Sequence, residues 1–219
     1  MGEKTALEKI LERFELGKTI ELTPEEEFVI VDSLVEADYI DNGSSRVVYA
    51  LGKEYVVKIA MSTGGVNQNT VERNFYACHG DKGYFAHLYA YGKMINIMEY
   101  LEDCSYYDPD DFYYDENDEA DTEFYRNICD IIDVVSDITD YYGGDNGQIG
   151  YSQKQGLHVL YDYGYSMDYE RKDIVDDVGY WMESICPIQN ALNVIKGNPM
   201  LTQDEIWDVC RNARVAEGE

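Results

Sequence analysis

The chain has 219 residues, 45% of them apolar, enough to bury a sizeable core in one large or two small domains. Its 17 basic side chains stand against 44 acidic ones, a formal charge of −27. That excess disfavours direct binding to nucleic acid or to an anionic membrane surface.

The same charge fits a solvated acidic face, a halophilic origin, or a surface offering carboxylates to a basic partner where nucleic acid would offer phosphates. The cysteines, Cys78, Cys104, Cys129, Cys186 and Cys210, make no CxxC pair and have no histidine cluster nearby. They read as reduced, mostly buried thiols. Met1 to Phe14 mixes charged with apolar residues, and no later run reaches membrane-spanning length, so a cytoplasmic protein is expected.

In chain order, Leu7, Ile10, Leu11 and Phe14 fall at helical spacing. Thr23 with Glu26 forms a capping box, with Pro24 in the first turn, ahead of Phe28, Ile30, Val31 and Leu34. Two helices are therefore predicted before the first strand, in a segment 1–38. From Tyr39 short strand-like runs take over, Arg46 to Leu51, Tyr55 to Ala60 and Ile95 to Tyr100, punctuated by Asn42-Gly43, Gly52-Lys53, Gly64-Gly65 and Gly92. One helix is predicted between Val66 and His79, within a β section 39–103.

Residues 104–121 interleave Tyr106, Tyr107, Phe112, Tyr113 and Tyr114 with carboxylates and no basic residue, the composition of a long loop or linker. Phe124, Ile128, Ile131, Val135, Ile138 and Tyr142 then step by three and four up to Gly143-Gly144, opening a helical section 122–219. A strand pair is predicted around Gly147 to Tyr151 and His158 to Tyr161. Helical material follows from about Arg171 to Ile185 and from Pro187 to Lys196, and Thr202 with Glu205 caps a last helix.

Several segments carry chemistry in a fixed order. Asp41-Asn42-Gly43-Ser44-Ser45-Arg46 lies between two predicted strands, where backbone N–H groups can cover phosphates, although Asn-Gly there also makes a plain hairpin turn. Lys58 sits in the apolar strand Val56-Val57-Lys58-Ile59-Ala60, where a long cation must snorkel or meet a partner. Glu72 lies in the following helical interval and reads either as that partner or as a surface glutamate. Ile95-Asn96-Ile97-Met98-Glu99-Tyr100-Leu101 is an apolar strand running into a polar segment, and Val159-Leu160-Tyr161-Asp162-Tyr163-Gly164 is a strand leading to an aspartate, or a turn.

Read together over roughly Tyr39 to Ser166, these segments resemble the protein-kinase-like fold. The resemblance implies an α+β, two-lobed architecture with a small antiparallel-sheet N-lobe and a reduced helical C-lobe. It implies ATP with Mg²⁺ as cofactor, held by Gly43 in the glycine-rich loop, Lys58 on the phosphates and Glu72 as its ion-pair partner. Met98 would be the gatekeeper, the backbone of Glu99, Tyr100 and Leu101 the hinge facing adenine, and Asp162 the metal ligand of an Asp-Tyr-Gly in place of Asp-Phe-Gly.

The likeness fails at the catalytic loop. No His-Arg-Asp occurs; counting back from Asp162, the metal-binding asparagine falls near Gln148 and the catalytic aspartate on Gly143, which can neither accept a proton nor orient a nucleophile. Asp140 or Asp145 would have to substitute in an active enzyme. About 55 residues follow Gly164, with no Ala-Pro-Glu to close an activation segment.

The expected function is therefore that of an acidic pseudokinase-like binding protein, regulating or inhibiting a protein partner with a basic surface. By analogy with phage-encoded inhibitors of host nucleic-acid enzymes, a nucleic-acid mimic fits the charge. Asp108, Asp110, Asp111, Asp115, Glu116, Asp118 and Glu119 are the candidate partner-binding residues. An active atypical kinase acting on a protein or small molecule is the alternative. His79, His87 and His158 have no cysteine or carboxylate at ligand spacing and receive no role.

Overall fold

The computed structural model describes residues 4–43, 45–107, 147–163, 186–202, 205 and 208. The chain divides into two compact units, one of Met1–Asn69, Leu88–Met98 and Arg171–Glu219, the other of Thr70–His87 and Glu99–Glu170. The architecture is α+β. The helix predicted from Phe124, the helical stretch from Arg171 and the candidates Asp108 to Glu119, Asp140, Gly143 and Asp145 lie outside the described residues.

In the first unit, α1 (Ala6–Leu11) starts at a capping box in which Thr5 and Glu8 bond each other's backbone N–H groups. Strand β1 (Ile20–Glu21) follows, then α2 (Pro24–Ser33), which opens at the expected Thr23–Glu26 box with proline in its first turn. Two helices do not both precede the first strand. β1 is too short to show a period, and tertiary pairing with β5 (Leu88–Tyr91) makes it a strand.

The strands β2 (Tyr39–Asn42), β3 (Arg46–Leu51), β4 (Tyr55–Ala60) and β6 (Ile95–Glu99) complete a six-stranded sheet in the order β1-β5-β6-β4-β3-β2. β3 pairs antiparallel with β2 and β4, and β5 with β6, whereas β1 runs parallel to β5. Three of these four pairings are antiparallel and the one at the β1 edge is parallel. Between β4 and β5 the chain passes through α3 (Thr63–His79), which contains the predicted interval and begins three residues earlier.

The helix α4 (Cys186–Ile195) packs on both α2 and β4. Phe14, Ile30, Val31, Leu34, Val57, Ile59, Ile95, Ile97, Ile188 and Leu192 belong to one buried cluster. Every residue of β6 is buried, the pattern of a central strand covered on both faces.

The second unit holds a three-stranded sheet, β7 (Glu102–Tyr107), β8 (Gly147–Ser152) and β9 (Leu157–Leu160), antiparallel throughout. β8 and β9 match the predicted pair. β7 corrects the loop predicted from Cys104: its backbone pairs with β8 from Glu102 to Tyr107, and ladder bonds outweigh an acidic composition. Cys78 and Cys104 are exposed, not buried, and the burial of the other three cysteines lies outside what is described. Among the described residues, no helix is long and apolar enough to cross a membrane.

Candidate functional site

The first unit positions Lys58 from the sheet outwards. Register pairs it with Val48 on β3, and β4 neighbours β6 on its other side, so the lysine strand lies beside the strand carrying Met98. Lys58 and Met98 are both buried. An ammonium is costly in such a place unless it is met by polar groups, which is why a lysine in an apolar strand attracts attention.

The turn between β2 and β3 closes on itself. The Gly43 N–H donates to the Arg46 carbonyl at 2.9 Å, and the Ser45 carbonyl accepts from Met61 N–H at 2.9 Å. The buried Ser45 hydroxyl donates to Gln68 Oε1 at 2.6 Å, and Arg46 Nη1 donates to Asn69 Oδ1 at 3.2 Å, so the turn is fastened to the start of α3. Gly65 makes this approach feasible, because a Cβ there would come within 2.2 Å of the Ser45 carbonyl oxygen. Gly43 therefore sits in a tight hairpin whose N–H already has an acceptor, the plain-turn alternative that the Asn-Gly pair left open.

Glu27 on α2 is a buried carboxylate with no counterpart in the sequence reading. Its Oε1 accepts from Met94 N–H at 2.6 Å, in the turn that Gly92 N–H closes onto the Ile95 carbonyl at 2.9 Å. A Cβ on Gly92 would stand 2.4 Å from the Glu27 carboxyl carbon, so glycine is needed there. Burial pushes the Glu27 pKa up, against the backbone hydrogen bonds from Met94, Lys93 and Ile95. Its role is to fasten the β5–β6 turn onto α2.

In the second unit Glu72 is buried at 0% exposure on α3, which rules out the surface-glutamate alternative. Glu99 is also buried. Its Oε1 accepts from the Ser152 hydroxyl on β8 at 2.5 Å, its Oε2 from His87 N–H at 3.4 Å, and its own N–H donates to the His87 carbonyl at 2.9 Å. Leu101 is buried and packs where Gly150 leaves room, since a Cβ on Gly150 would lie 2.8 Å from Leu101 Cβ and Cys104 Sγ. Of the candidate hinge, the Tyr100 side chain alone is exposed.

The β8–β9 hairpin brings Gln148 close to Asp162: the Gln148 carbonyl accepts from Tyr161 N–H at 2.9 Å, one residue before the aspartate. Tyr163 is fully buried, with its ring 5.3 Å from Phe75 and 5.5 Å from Phe85, and its hydroxyl donates to the Ala86 carbonyl at 3.1 Å. Beside it, the Tyr76 hydroxyl lies 2.6 Å from His87 Nδ1. Burial, with a smaller contribution from Lys154, lowers the His87 pKa to about 4, so the imidazole is neutral at ordinary pH. Among the described residues, no cluster of three or more His, Cys, Asp or Glu side chains is arranged to hold a metal ion.

No family model matches this chain, and no curated protein does. Among solved structures it is similar to one titled "Structure of the streptomycin-ATP-APH(2")-IIa ternary complex", at 10% identity and a TM-score of 0.33, over 64% of this chain and 70% of that one. A likeness of that size carries no argument about this molecule.

The sequence candidates thus fall into two sets. Gly43, Lys58 and Met98 belong to the first unit, and Glu72, Glu99, Tyr100, Leu101, Gln148 and Asp162 to the second. Glu27, Ser152 and the Tyr76–His87 pair were missed. For Glu27 a signal existed, because Glu27, Ile30 and Val31 fall at helical spacing on one face of α2, with Leu34 just past its end. Ser152 meets Glu99 only through the tertiary fold.

Proposed function

We propose that this protein is an acidic, pseudokinase-like binding protein that acts by holding a protein partner with a basic surface, and that it does not transfer phosphate. The observation that carries this reading is the closed turn at Gly43. A loop that covers phosphates must present free backbone N–H groups. Here the Gly43 N–H is bonded to the Arg46 carbonyl, and Ser45 and Arg46 are buried against the start of α3. Opening the turn would expose Arg46 and break the Ser45–Gln68 and Arg46–Asn69 bonds.

The kinase-like character rests on residue types in order, with Lys58 on a central strand, Glu72 buried on the crossover helix and Asp162 one residue past the bond to Gln148. The resemblance assigns a phosphate contact to Lys58 and, separately, a metal-ligand role to Asp162, and a bound Mg²⁺ would supply charge neutralisation of the phosphates. Gly143 at the place of the catalytic aspartate and −27 of net charge argue for binding as the activity.

The test is incubation with labelled ATP and Mg²⁺ or Mn²⁺, alongside a thermal-shift series with the same ligands. No transfer to the protein, to a basic protein mixture or to small-molecule acceptors is expected. Label transfer abolished by Lys58→Ala or Asp162→Asn would overturn the reading in favour of an atypical kinase.

A further inference from the structure

The β5–β6 turn, residues 92–95, gathers backbone donors on one carboxylate. Glu27 is 2% exposed, and its carboxylate accepts from Met94 N–H at 2.6 Å and from the Lys93 and Ile95 N–H groups. Successive N–H groups converging on one point make the concave nest in which backbone binds anions. The turn is held in this shape by bonds that do not involve Glu27. Gly92 N–H donates to the Ile95 carbonyl at 2.9 Å, and the Met94 carbonyl accepts from Ala60 N–H at 2.8 Å and from Asn69 Nδ2 at 3.1 Å. Lys93 Nζ donates to the Val194 carbonyl on α4 at 3.4 Å, so it is through its backbone N–H that Lys93 bonds Glu27. Burial opposes a charge here, and the backbone donors with the Lys93 charge offset part of that cost.

We propose that the β5–β6 turn is a pre-shaped oxyanion site whose tethered ligand is Glu27, and that a free small carboxylate takes the same place once the tether is removed. Glu27→Ala deletes a CH₂–COO⁻ unit, which has the size and chemistry of acetate. The space left behind keeps its backbone donors, and buried donors without acceptors are costly, so an acceptor-only group of that size is favoured over an empty cavity. The site is also narrow. A Cβ on Gly92 would fall on the Glu27 carboxyl group, so a branched carboxylate has no room beside that backbone. The proposal does not rest on the partner-binding reading, since it uses neither Asp108 to Glu119 nor any of the nucleotide candidates.

The test follows thermal melting of the full chain near neutral pH, in sodium acetate or in sodium chloride at equal concentration. Acetate should raise the melting temperature of Glu27→Ala over its value in chloride by about 3 °C or more, and that of the wild type, whose nest is filled, by less than about 1 °C. Acetamide, whose NH₂ would face the donors of the turn, and trimethylacetate, too bulky for the space beside Gly92, should each give less than about half of the acetate shift. In Glu27→Ala/Gly92→Ala the shift should be lost, because the added Cβ stands where the carboxylate sits. If Glu27→Ala does not fold in chloride, refolding into either salt, read by circular dichroism, replaces melting, and recovery in acetate alone is expected. Equal shifts in Glu27→Ala and the wild type, an acetate shift kept by the double variant, or refolding alike in both salts or in neither would overturn the proposal.

Discussion

The two units bury polar groups in different ways. In the first, the Glu27 carboxylate is buried beside a core of aliphatic and aromatic side chains and fastens one turn through backbone donors, and the Ser45–Gln68 and Arg46–Asn69 bonds fasten another. In the second, the rings of Phe75, Phe85, Tyr76 and Tyr163 pack together, and polar bonds from Ser152, His87 and Tyr163 run around them. A core of the first kind depends mainly on volume, whereas one of the second kind depends also on hydrogen-bond direction, because buried polar groups are expensive when half satisfied.

The largest effect should come from volume in either unit. Phe14 is buried against Tyr55 and Tyr89, at centroid distances of 5.3 and 5.8 Å, and Phe75 against Phe85 at 4.9 Å. Phe14→Ala and Phe75→Ala should each lower unfolding free energy by about 3–5 kcal/mol in denaturant titration. A Phe75→Ala loss below about 1 kcal/mol would show that the second unit's rings contribute little packing, and the contrast between the units would fall.

Direction is probed next by Ser152→Ala, which removes a donor from the buried Glu99 carboxylate and an acceptor from Gln155 N–H. The expected cost is about 1–3 kcal/mol, with Ser152→Thr recovering part of it. Tyr163→Phe sharpens the same point more gently: the ring stays, the bond to the Ala86 carbonyl goes, and about 0.5–1.5 kcal/mol should be lost. An unchanged Tyr163→Phe would mean that ring packing alone holds this segment.

The fold was legible where burial leaves a local period. β3, β4 and β6 appear as apolar runs between glycine turns, and α2 announces itself through Thr23, Pro24 and Glu26. β1 and β7 were not legible, because a two-residue strand has no period and Glu102 to Tyr107 reads as an acidic loop until β8 pairs with it. At the candidate site, the apolar neighbours of Lys58 left open whether it snorkels out or meets a partner, and the fold buries it. Glu72 was ambiguous, since Asn67, Gln68, Asn69 and Arg73 around it give α3 a polar texture even where it is buried. The closure of the Gly43 turn depends on the side chains of Gln68 and Asn69 from the next helix, and no spacing rule reaches that far.

The smallest effect expected, and the one that separates the units by sign, is the dependence of stability on pH. Glu27 has its folded pKa raised above the ordinary 4.5 by burial, so the native state holds a proton that the unfolded chain has released. Its contribution is present at acid pH and lost as pH rises from 4.5 through the folded value. His87 has its folded pKa lowered from 6.5 to about 4, so between those values the unfolded chain binds the additional proton. Its contribution is present above pH 6.5 and lost as pH falls towards 4. Melting temperatures of the wild type, Glu27→Gln and His87→Gln across this range resolve the two. The margin of wild type over Glu27→Gln should shrink as pH rises, and its margin over His87→Gln should shrink as pH falls. Margins of both variants that are flat with pH would remove the polar contrast between the units and leave packing as their main difference.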